Sequence, residues 1–60
     1  MEETLLQRLD LFNLIRDSHI RWINRTDDAE LQERHRALIA LCETMIGEYR
    51  ALLDALQRQQ

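Results

Sequence analysis

Apolar residues recur along the chain at alternating steps of four and three, the signature of a helix with one buried face. In the first half Leu5, Leu9, Phe12, Arg16, His19 and Ile23 form one stripe. Leu11, Ile15 and Trp22 widen it on one flank and Ile20 on the other, so nearly half the circumference is apolar, more than one neighbouring helix can cover. In the second half Leu31, His35, Leu38, Cys42, Met45, Tyr49, Leu52 and Leu56 keep the heptad steps over the whole run. Ile39, Ile46 and Leu53 add a second column one residue after the seam, a pattern of bundles more than of two-stranded coils.

Between the two runs lies Asn24-Arg25-Thr26, followed by Asp27 with Glu30 three residues on, the spacing of a capping box. The expected organisation is a single all-α hairpin with a helix over 3–23, a loop over 24–27 and a helix over 28–58. A loop this short makes the two helices antiparallel. Reversal at that loop pairs positions whose numbers sum to about 54, an estimate that places Ile23 opposite Leu31, His19 opposite His35 and Arg16 opposite Leu38. The same register sets Phe12 opposite Cys42, Leu9 opposite Met45 and Leu5 opposite Tyr49. Two stripes read independently thus agree on six layers. The helices would be roughly 31 and 46 Å long at 1.5 Å per residue. The second therefore overhangs, with Leu52, Leu53 and Leu56 continuing the seam past the last residues of the first.

Composition narrows the class without changing the fold. The chain has 60 residues, no Pro, one Gly, 45% hydrophobic and 32% charged residues, which suits long helices and not disorder. A domain this small buries only about 60% of its unfolded surface and needs support from outside its own core. The single Cys42 forms no internal disulfide, and no zinc-finger spacing is present. Self-association or a partner remains, and a homodimeric four-helix bundle is the expected form. The net charge of −3 gives no general attraction to nucleic acid or anionic lipid. No apolar run reaches the roughly 20 residues that span a bilayer, and no signal-peptide pattern is visible, so the chain reads as cytoplasmic. All eight strong bases are Arg, a composition expected of a GC-rich bacterial or phage genome.

Each chemically suggestive residue has an ordinary alternative. His19 and His35 fall in one layer and invite metal or proton chemistry, yet two ligands with no carboxylate on the seam beside them read more simply as a polar layer fixing register. Cys42 sits where a thiol is a small core hydrophobe. No Gly-rich phosphate loop and no Ser, His and acid constellation occurs, so no enzyme activity, cofactor or metal is expected. Arg8, Arg16, Arg21 and Arg25, with Phe12 and Trp22, could face nucleic acid, but interleaved Asp10 and Asp17 favour ion pairs with Arg stems covering the core rim. Ala37, Ala40, Thr44, Gly47, Ala51 and Ala55 form a column of small residues that would admit another backbone or simply face water.

Leu6 and Leu14 lie on the otherwise charged back of the first helix and, with the overhang, exceed what one hairpin can hide. The expected partner or dimer interface is therefore Leu6, Leu14, Trp22, Ile39, Ile46, Tyr49, Leu52, Leu53 and Leu56. These features point to a small protein-binding adaptor, regulator or inhibitor. A structural subunit or chaperone of a larger assembly would use the same surfaces without homodimerising. In outline such a dimer resembles the plasmid copy-control hairpins, a likeness of shape with no residue motif, which implies an RNA-binding hairpin dimer as the alternative.

Overall fold

The computed structural model describes residues 1–59 and contains two helices, α1 (Glu2–Ile23) and α2 (Ala29–Arg58), packed antiparallel as a hairpin. The rod measures 49 × 14 × 12 Å. Among the described residues there is no strand, and no helix is long and apolar enough to cross a membrane. Helix α1 starts without a side-chain cap, Met1 supplying only its carbonyl to the Leu5 N–H at 3.1 Å. Glu2 and Glu3 place negative charge at its positive dipole end.

The reversal is built from local hydrogen bonds. The carbonyl of Trp22 accepts from both Arg25 and Thr26 N–H, at 3.0 and 3.1 Å, which closes α1. Gln32 then donates from Nε2 to the Thr26 carbonyl at 2.7 Å, and Thr26 Oγ1 accepts from the Asp28 N–H at 3.3 Å. No described residue has positive φ, so the turn is made without a left-handed position.

The cap of α2 is Asp28 and not Asp27. Its extended backbone (φ −77°, ψ 113°) lets the carboxylate accept from the N–H groups of Glu30 at 2.9 Å and Leu31 at 3.3 Å. Glu30 is then the second helical residue and pairs with Arg34 at 3.1 Å, one turn on, so the reciprocal capping box expected from the sequence does not form. The two hydrogen bonds accepted by the Trp22 carbonyl explain the offset, because they keep the chain in the turn through Thr26 and delay the extended residue that must precede a helix.

Among the described residues only Leu5, Leu9, Cys42 and Ile46 are buried, and they form the core. On α2 the buried line runs between the two apolar columns: Cys42 and Ile46 face α1, Ile39 and Leu53 are half-buried, and the seam residues Leu31, Leu38 and Leu52 turn outward. Layer register is as expected at His19 and His35, which touch directly. It differs for large side chains. Tyr49 stacks on Phe12, ring centroids 5.7 Å apart, instead of lying opposite Leu5, and Trp22 stacks on His35 at 6.4 Å with the rings nearly parallel. The cause is that helical side chains lean toward their own N-terminus. In an antiparallel hairpin that lean carries α1 side chains away from the loop and α2 side chains toward it, so long ones meet beyond their backbone level.

Replacing Asp28 by Ala should lower stability by about 1 kcal/mol, and Asp27→Ala by less than half as much. Urea melts of the two variants at one protein concentration check this, and a larger loss for Asp27→Ala would return the cap to that residue.

Candidate interaction surface

Four buried residues are a small core for 60, and the apolar remainder lies outside it. Successive residues turn by about 100° around a helix, so exposed positions can be assigned to sides of the hairpin. On α1, Leu11, Ile15 and Trp22 are rotated roughly 60–120° from the inward direction, all in one sense. On α2, Leu38, Leu41, Met45 and Leu52 are displaced by similar angles in the same sense. Antiparallel packing reverses both the axis and the inward direction, which brings these two flanks to the same side. The result is a largely apolar face interrupted by the exposed Arg8 and Arg34, with Trp22 57%, Leu41 58% and Leu52 54% exposed, and Ile15 and Met45 half-buried at its centre.

The opposite side is mixed, with Asn13, Asp17, Gln32, Arg36, Glu43 and Arg50 around Leu6 and Ile20. Leu14 is isolated on the back of α1. The interface residues expected from the sequence are therefore dispersed. Trp22 and Leu52 belong to the apolar face, while Leu6 lies across the hairpin from it and Leu14 on the back. Ile39, Tyr49, Leu53 and Leu56 are half-buried between or beside the helices. Ile46, at 4% exposure, is already enclosed by its own chain and has almost no surface left to offer.

Sequence reasoning overlooked Leu41. It stands three residues after Leu38 and four before Met45, with Leu52 seven further on, which is itself a helical column. Glu48 interrupts that column and the unbroken heptad seam beside it masked the pattern.

Polar chemistry gathers near the loop. His19 Nδ1 and His35 Nδ1 are 2.8 Å apart between half-buried rings tilted 44° to one another. Arg16, one helical step before His19, pairs with Asp17 at 3.3 Å. Arg21 donates to Ser18 Oγ at 3.3 Å, and these two residues with Trp22 and Arg25 line a shallow dent of about 100 Å³. Among the described residues no group of three or more His, Cys, Asp and Glu is placed to hold a metal ion. Cys42 is buried and unpaired.

The small-residue column lies on the outer side of α2, and a Cβ added at Gly47 would meet nothing within 4 Å. Within one chain, then, no close backbone approach requires the glycine. No protein-family model, curated protein or solved structure matches this sequence.

Gly47→Ala should raise stability by up to about 1 kcal/mol, the usual cost of glycine in a helix interior. A melt that falls instead would place another backbone against this column. Replacing His19 and His35 together by Leu should preserve or raise stability at neutral pH, because a half-buried polar pair gives way to apolar contact. Circular dichroism melts decide it, and a large loss would make the pair a source of stability.

Proposed function

We propose that the hairpin acts by association and not by catalysis: two copies join through the apolar face into a four-helix bundle that binds another protein as a small adaptor, regulator or inhibitor. The observation that carries this reading is the face of Leu11, Ile15, Trp22, Leu38, Leu41, Met45 and Leu52, a largely apolar strip on a chain with four buried residues among those described.

Surface area supports the second copy. The chain exposes 4793 Å², whereas a compact monomer of 7.2 kDa is expected to expose roughly 4,100 Å². The excess of about 700 Å² is close to the roughly 800 Å² that each partner buries in a standard interface. Burying the exposed half of Leu41 and of Leu52 would contribute on the order of 1 kcal/mol each, a sizeable part of a small domain's stability. Dimerisation through this face leaves the mixed side, with Leu6 and Ile20 among charged residues, as the surface presented to the target. The composition of that side, apolar residues ringed by polar ones, is that of a protein-binding rim and anchor.

The alternative of an RNA-binding hairpin dimer draws on the corner where Arg21, Arg25, Ser18 and Trp22 surround the dent. The net charge of −3 weighs against it, since the phosphate backbone is bound mainly by neutralisation.

Light scattering behind a sizing column tests the dimer contact that both readings share. The parent chain should run as a dimer. Leu41→Glu with Leu52→Glu should run as a monomer whose helicity falls on dilution, because folding and association are coupled, while Leu14→Glu should stay dimeric. A parent chain that is monomeric and stably folded at micromolar concentration, or a double variant that remains dimeric, would refute the apolar face as the dimer contact.

A further inference from the structure

His19 and His35 bring two metal-ligating side chains from different helices into direct contact, Nδ1 to Nδ1 at 2.8 Å. Two neutral imidazoles 2.8 Å apart through their Nδ1 atoms hold one proton between them: one ring carries Nδ1–H and donates, the other presents its lone pair.

From this geometry we propose that the two Nδ1 atoms form a bidentate clip for a divalent cation of the late first row, Cu²⁺, Ni²⁺ or Zn²⁺. Metal–imidazole bonds are about 2.0–2.1 Å, so two nitrogens in adjacent positions of a square or tetragonal ion stand about 2.8–3.0 Å apart, and in a tetrahedral ion about 3.3–3.4 Å. The observed spacing matches the first arrangement and needs roughly half an ångström of opening for the second. Both lone pairs must turn from each other toward one point, a rotation about the terminal side-chain torsion, which is soft for histidine. The proton balance is simple. The ring that donates from Nδ1 changes to its Nε2–H tautomer, so two neutral rings bind the ion without net proton release.

The surroundings set the preference among ions. Imidazole suits all three, and for a given nitrogen site affinity rises to a maximum at Cu²⁺. The tetragonal fit favours the same ion. Trp22 lies parallel to the His35 ring with centroids 6.4 Å apart, so it flanks the ring that must turn. Arg16, half-buried one step along the stripe from His19, repels a dication, but its guanidinium is held by Asp17. Among the described residues no third His, Cys, Asp or Glu is grouped with the pair, which leaves the remaining coordination positions to water.

The test is titration of the full chain with CuCl₂, NiCl₂ and ZnCl₂ by calorimetry, repeated on His19→Ala and His35→Ala. One ion per chain should bind, with Cu²⁺ tightest. Each single variant should lose at least about tenfold in affinity, since removal of even an outer-sphere partner commonly costs that much. Circular dichroism checks that the variants keep their helicity. Independently of any variant, ¹⁵N spectra of the parent chain with Zn²⁺ should report coordination at Nδ1 of both histidines. Absence of saturable binding, equal affinity in the single variants, or coordination through Nε2 would each overturn the proposal.

Discussion

Everything in this molecule follows from how little two helices can enclose. A pair of cylinders touches along one line, and residues on that line lose water while those one step around it do not. Here the line holds Leu5, Leu9, Cys42 and Ile46 and little else. The sequence, however, carries apolar residues over nearly half of α1 and two columns of α2. That mismatch between what the chain offers and what a hairpin can bury is the source of the apolar face. The hydrogen bonds of the turn and the cap of α2 decide where the line runs, but they add no enclosed volume.

The helices, their antiparallel order and the layer at His19 and His35 were legible in the sequence because each follows from spacing alone. Period and a short loop determine which residues can be neighbours, whatever the details of packing. Three other features were not legible, each for its own reason. The cap moved from Asp27 to Asp28 because a carbonyl that accepts two N–H groups prolongs the turn, and spacing between acidic residues does not report on that. The facing line on α2 passed between its two columns because both are apolar and only contact with α1 selects one. Ile46 consequently went inward and Leu38 outward. Leu41 escaped notice because a stronger regularity ran beside it.

The polar pair near the loop has a different standing from the apolar face. Exposed leucines create a need that any well-shaped apolar partner would satisfy, so they specify area more than identity. Two imidazole nitrogens at 2.8 Å on rings tilted by 44° specify a distance and an angle. The pair also lies on the contact between the helices, so whatever occupies it bears on their spacing at the loop end, while the apolar face bears on assembly. The two features meet at Trp22, which stacks on His35 and also belongs to the apolar face, so the pair that bears on the hairpin adjoins the surface that bears on its association.

The lean of side chains toward their own helix N-terminus has a consequence for how variation would be distributed among related sequences. Backbone levels pair at numbers that sum to 54, as at His19 and His35, but Trp22 with His35 and Phe12 with Tyr49 meet at larger sums. Compensating changes should therefore depend on size. Small residues would covary across a level, and bulky ones with a partner up to about two turns farther from the loop than that level. A contact map inferred from covariation would then look blurred or shifted in register, although the helices themselves would share one fixed alignment.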